Sequence, residues 1–197
     1  MVSEQHWDKV YRTKDSHDVS WYQEFPAVSV RMITAQAASG KVIDVGAGDS
    51  TLADELVERG FTVTVLDVAP SAIDAVRRRL GDRATYVVAD LLDWSPRESY
   101  DLWHDRAVFH FLTDPATQAA YVDLAASAVR PGGAVVLATF APDGPASCSG
   151  LPTARHDAES LAALFADHFT LASSEREEHL TPWGAVQPFT WVTLRRR

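Results

Sequence analysis

The chain has 197 residues, enough for one domain with a full core, and 46% of them are hydrophobic. A formal net charge of −9 argues against nucleic acid as the main partner, because binding phosphates needs a basic face; the terminal Arg195-Arg196-Arg197 is too short to alter that. No apolar run reaches membrane length, the polar N-terminus lacks a signal-peptide pattern, and the single cysteine, Cys148, cannot form a disulfide within the chain; these features predict a cytoplasmic protein with no membrane partner.

The residues before Lys41 predict a helical leader. Residues 3–11 offer Ser3 and Asp8 as caps and set Trp7 and Tyr11 four apart, on one helix face. A polar break over 12–18 leads to Val19-Ser20-Trp21-Tyr22, and Pro26 opens a second helix over 27–39 with Gly40 as its stop. Two readings stand for Trp7 and Trp21: aromatics packed on the core, or parts of a lid.

Lys41-Val42-Ile43-Asp44-Val45-Gly46-Ala47-Gly48-Asp49-Ser50 reads as a buried strand ending in a glycine turn, followed by a helix over 51–60. Glycines at 46 and 48 let the backbone turn sharply and come close to a ligand. A dinucleotide fingerprint wants a third glycine where Thr51 stands, and Asp49 would repel a pyrophosphate at the helix start. A ligand with a ribose but no phosphate, such as S-adenosylmethionine, suits this turn better. Residues 61–66 form a second strand ending at Asp67, 21 residues after Gly46 and well placed for an acid that grips ribose hydroxyls. Pro70 to Leu80, closed by Gly81, carries Ala72, Ile73, Val76 and Leu80 at helical spacing, with Arg77, Arg78 and Arg79 on its solvated side. A third strand over 84–89 ends at Asp90.

Through this ordered set the sequence resembles the class I S-adenosylmethionine-dependent methyltransferases over roughly residues 41–194: the Asp44-to-Gly48 turn, Asp67-Val68 after the second strand and Asp90-Leu91 after the third. The resemblance implies an α/β Rossmann-like sheet of seven strands, mostly parallel with an antiparallel C-terminal hairpin strand, helices on both faces and an N-terminal helical lid. It also implies a single domain, residues 1–40 being the lid and 41–197 the core. Asp44 is expected to hold the cofactor's ammonium, Gly46, Ala47 and Gly48 to surround its methionine part, Asp67 to bind ribose and Val68 to pack on adenine. Asp90 and Leu91 meet the adenine edge, and the leader's Trp7, Tyr11 and Trp21 fold over the cofactor. S-adenosylhomocysteine is the implied product.

Residues 100–104 predict a fourth strand running into Asp105-Arg106-Ala107-Val108-Phe109-His110. This segment resembles the Asp-Arg edge of thiol- and thiopurine-methylating enzymes, and His104, Asp105, Arg106 and His110 crowd four polar groups into an apolar stretch, as a catalytic site would. The competing reading makes Asp105 and Arg106 a structural ion pair and His110 a buried histidine. Asp114-Pro115 caps a helix over 116–129, with Ala120, Leu124 and Ala128 as its apolar stripe; Arg130-Pro131-Gly132-Gly133 turns into a fifth strand over 134–140. The long stretch 141–155, holding Cys148, reads as an ordered substrate loop. Asp157 caps a helix through Ala166, and strands over 169–178 and 186–194 close the chain around a turn with His179, Trp183 and Gln187 near the active edge.

The expected function is methyl transfer to a small-molecule acceptor. The seven histidines are scattered without zinc-like pairings, so no metal is expected. A protein-lysine acceptor, a non-catalytic S-adenosylmethionine-binding module and a nicotinamide oxidoreductase are the rivals.

Overall fold

The computed structural model describes residues 4–197; Ser3, one of the two candidate caps of the first helix, lies outside the described residues. Seven strands form one sheet: β1 (Lys41–Val45), β2 (Thr62–Asp67), β3 (Thr85–Val88), β4 (Tyr100–Arg106), β5 (Val129–Phe140), β6 (Phe169–Leu180) and β7 (Val186–Arg196), in the order β3-β2-β1-β4-β5-β7-β6. The first five run parallel, and β7 lies antiparallel to both β5 and β6. The central strands are apolar on both sides, as a sheet covered on both faces requires: β1 is buried from Val42 to Val45, and β2 from Val63 to Asp67.

Among the described residues six α-helices accompany the sheet: α1 (Glu4–Thr13), α2 (Ala27–Thr34), α3 (Leu52–Glu58), α4 (Pro70–Leu80), α5 (Pro115–Ala128) and α6 (Ala158–Leu164). One core layer joins Val30 and Ile33 of α2, Leu52 and Leu56 of α3, and Ile73, Val76 and Leu80 of α4 to one face of the sheet. The other joins Tyr121 and Ala125 of α5 and Leu161 of α6, with Phe165 beyond it, to the opposite face. Burying each large aliphatic side chain contributes about 1.5–3 kcal/mol, so these stripes, rather than helix propensity, hold the layers.

The structure amends several expectations. Helix α2 stops at Thr34, not Ser39, because the chain must turn back to start β1; Gly40 makes that turn at φ 144°, and the Lys41 N–H donates to Asp101 Oδ2 at 2.7 Å. In α5 Ala120 is exposed, and the buried stripe is instead Gln118, Tyr121, Val122, Ala125 and Ala128. The large Tyr121 decides which face turns inward. Arg130 to Gly133 bulge out of β5, where the pairing with β4 jumps from Tyr100–Val129 to Leu102–Ala134. The stretch 141–155 contains a small hairpin, Ser147–Cys148 against Leu151–Pro152, turned by Ser149 and Gly150 at positive φ.

Candidate active site

Strands β1, β2 and β3 end side by side, so the Gly46 turn, Asp67 and Asp90 meet at one rim. A cavity of about 140 Å³ opens there. Gly46, Asp67, Val68, Asp90 and Leu91 line its sheet side, and Trp7, Tyr11 and Trp21 of the leader line its cover. Trp7 packs edge-on against Trp21 at 5.8 Å and Phe111 at 5.3 Å, while Asp8 of α1 accepts from the Ser71 N–H of α4 at 3.0 Å. The leader therefore spans from the Arg106 edge to the start of α4, over the rim.

Asp67 is buried and accepts from the Gly48 N–H at 2.8 Å and the Ala69 N–H at 2.8 Å. Burial raises its carboxyl to about 6, against the lowering effect of those two N–H groups. A carboxylate has about four lone-pair sites, so two remain for hydroxyl donors. Asp90 accepts from the Leu92 N–H at 3.0 Å, which aims its carboxyl across the turn after β3. Both glycines of the turn have left-handed φ, 60° at Gly46 and 57° at Gly48. Side chains of the protein itself also demand them. A Cβ on Gly46 would lie 1.9 Å from Val108 Cγ2, and one on Gly48 would lie 2.4 Å from the Tyr11 hydroxyl oxygen.

The dense segment at the end of β4 does not form one cluster, because successive strand residues face opposite sides. His104 shares a face with α2: its Nδ1–H donates to Asp44 Oδ1 at 2.7 Å, and its Nε2 lies 3.0 Å from Ser29 Oγ. The parallel register sets Asp44 opposite His104, which explains the pairing. Asp105 faces α5. It accepts from the Tyr121 hydroxyl at 2.6 Å and from the Val108 and Phe109 N–H groups at 2.8 and 3.1 Å, and burial raises its carboxyl to about 6. Neither His104 nor Asp105 lines the cavity, and neither do Asp44, Ala47 and Gly48. The Asp105–Arg106 ion pair of the competing reading does not form; alternation puts the two side chains on opposite faces.

Arg106 and His110 do line the cavity. Arg106 Nη1–H donates to the Trp21 carbonyl at 3.1 Å and its guanidinium stands 4.8 Å from the Phe189 ring centre. His110 stacks on Phe140 at 4.4 Å, and burial, with the nearby Arg106 charge, lowers its imidazole to about 3. Both its nitrogens are buried and have no partner among the described residues. Cys148 and Gln187 complete that wall, with burial pushing the Cys148 thiol up. Phe140, Phe189, Phe111 and Val108 are wall residues that the sequence reading passed over; each looks like an ordinary core residue until β5, β7 and the turn after β4 are brought together.

Residues 42–133 match the family model described as a methyltransferase domain, and the matched stretch carries the Gly46 turn, Asp67 and Asp90. Over this stretch, just under half of its length, the chain resembles the S-adenosylmethionine-dependent methyltransferases. Among its relatives, Nodulation protein S of Rhizobium tropici is 32% identical over 52% of this chain and 44% of its own length. The ubiquinone biosynthesis O-methyltransferase of Stutzerimonas stutzeri is 26% identical over 68% of this chain and 57% of its own. The chain thus spans about half the length of the curated relatives it matches. In fold it is similar to the 1,6-didemethyltoxoflavin-N1-methyltransferase of Burkholderia thailandensis, solved with 1,6-didemethyltoxoflavin and S-adenosylhomocysteine bound: TM-score 0.80, 23% identity, covering 98% of this chain and 86% of that one. No helix among the described residues is long and apolar enough to cross a membrane.

Proposed function

We propose that the chain transfers a methyl group from S-adenosylmethionine to a small-molecule acceptor bound in the rim cavity. The observation that carries this reading is a cavity with two chemically different ends. One has Asp67, Val68, Asp90 and Leu91 on consecutive strand ends; the other has Arg106, His110, Phe140 and Phe189. The residues present fit the cofactor, since Asp67 is a buried carboxylate with unused acceptor capacity. Asp67 would accept from the ribose hydroxyls, Val68 would pack on adenine, and Asp90 and Leu91 would meet its edge. When bound, the cofactor supplies an electrophilic methyl carbon whose leaving group is a neutral thioether.

The chain's own work is alignment and exclusion of water. Trp7, Tyr11 and Trp21 cover the cavity, and residues 1–40 act as a lid on a single domain whose core is 41–197. The imidazole of His110, lowered to about 3, is too weak a base to take a proton from an acceptor near neutral pH, so it serves as a neutral hydrogen-bonding group. His104 and Asp105 are positioning residues: His104 holds Asp44 beneath the glycine turn, and Asp105 pins the turn that carries Val108 onto Gly46. Asp44 acts on the cofactor's ammonium through that turn or through water. A lysine acceptor is disfavoured because its ammonium would meet the buried Arg106 cation. With one cysteine and no covalent staple to form within the chain, a cytoplasmic setting suits the protein.

Calorimetry with S-adenosylhomocysteine tests the cofactor end. Micromolar binding by the wild-type protein, and its loss in Asp67→Ala, are expected; tight NADH binding without S-adenosylhomocysteine binding would overturn the reading. Release of labelled methyl onto any acceptor separates an enzyme from a binding module.

A further inference from the structure

Arg106 leaves most of its hydrogen-bonding capacity unused. Of its five N–H donors one on Nη1 goes to the Trp21 carbonyl, but Nε and Nη2 are closed off from solvent and have no partner among the described residues. These two N–H groups lie on one edge of the guanidinium, parallel to each other, the edge that receives both oxygens of a carboxylate. Glu177 is the acid whose charge acts most on Arg106, yet it makes no hydrogen bond to the guanidinium; its oxygens accept from Gln23 Nε2 at 3.2 Å and Trp191 Nε1 at 2.7 Å. Burial lowers the guanidinium's pKa, and no acid among the described residues hydrogen-bonds to it. His110, with both nitrogens also unpartnered, lines the same wall, and the rings of Phe140 and Phe189 flank it. A buried donor pair that no protein acceptor meets is costly unless a ligand satisfies it.

The geometry points to a specific acceptor class: a flat, aromatic-type molecule bearing a carboxylate, or an equivalent pair of adjacent anionic acceptor atoms, that docks on the Nε/Nη2 edge of Arg106 with its ring against Phe140 and Phe189. His110 supplies a neutral N–H or lone pair to a second polar group on the ring. This rests on the rim cavity being the acceptor site of a methyltransferase. The anion supplies the missing partner, the rings supply stacking, and the neutral histidine avoids a second cation that would change the charge balance.

The test uses calorimetry on the full chain saturated with S-adenosylhomocysteine, with three matched pairs: benzoate and benzamide, 2-hydroxybenzoate and 2-hydroxybenzamide, 2-mercaptobenzoate and 2-mercaptobenzamide. At least one acid should bind ten-fold or more tightly than its amide, and Arg106→Lys, which keeps the charge but loses the fork, should erase that preference. S-adenosylhomocysteine affinity should stay within about three-fold in the variant. Arg106→Met removes the unpaired charge and should raise the melting temperature of the ligand-free protein, which also guards against a folding artefact. No preference for any acid, or a preference that survives in Arg106→Lys, overturns the proposal. If S-adenosylhomocysteine itself fails to bind, the methyltransferase reading falls instead; the same pairs on the unloaded protein then decide the anion site separately.

Discussion

The Tyr11 hydroxyl sits directly on the glycine turn, so close to Gly48 that a Cβ there would lie 2.4 Å from the Tyr11 oxygen. Leader and turn are thus fitted to each other, and the desolvated tyrosine, facing the Asp67 and Asp49 charges, has a pKa well above its ordinary value. Ser16 of the leader also donates to Asp49, a second tie between cover and turn.

Two costs follow for Gly48→Ala: overlap with Tyr11, and a left-handed φ worth about 1–2 kcal/mol for an L-residue. S-adenosylhomocysteine affinity should drop ten-fold or more. The Gly48→Ala/Tyr11→Ala pair should recover the overlap portion but not the backbone portion, giving a non-additive double-mutant cycle. Strict additivity in calorimetric affinities would show that Tyr11 does not rest on the turn during binding.

His104→Ala should act mainly on stability. It leaves Asp44 and Ser29, both buried, without their ring partner, a loss of about 2–3 kcal/mol. Urea unfolding reads this directly, as a lower midpoint at unchanged slope. Full stability with a collapsed transfer rate would instead return His104 to the reacting centre.

Asp105→Asn tests the pin under Val108. Asparagine cannot accept on both sides, so it loses at least one of the bonds from Tyr121, Val108 and Phe109, and stability should fall by about 1–3 kcal/mol. The Gly46 turn should loosen with it, so S-adenosylhomocysteine should dissociate faster in a stopped-flow chase. An unchanged off-rate would separate the pin from the cofactor turn.

His110 gives a pH signature. Its folded pKa, about 3, lies below the unfolded 6.5, so the unfolded chain takes up a proton that the folded chain refuses. Wild-type stability should therefore fall as pH drops below about 6.5, by roughly 1 kcal/mol per unit from this group. Asp67 and Asp105 work the other way between about 6 and their ordinary 3.8, so the comparison must be wild type against His110→Phe. The wild type should lose ground to the variant by about 2 kcal/mol between pH 6.5 and 4.5 in denaturant titrations. A constant difference would place His110 in contact with water.

Local sequence determined the frame: the apolar strands, the Gly46 turn, the acids at 67 and 90, and the caps at Asp114 and Asp157 all follow from short-range chemistry, and each sits where its residues put it. What sequence could not settle was which polar side chains share a space. His104, Asp105 and Arg106 are neighbours in the chain, yet strand alternation sends His104 to Asp44, Asp105 to Tyr121 and Arg106 to the cavity. Those partners come from three other elements, so the choice belongs to register and packing. The acceptor end likewise exists only once β5, β7 and the leader meet; Phe140, Phe189 and Trp21 carry no local mark of it, because an aromatic that will line a cavity obeys the same periodicity as one that will fill a core.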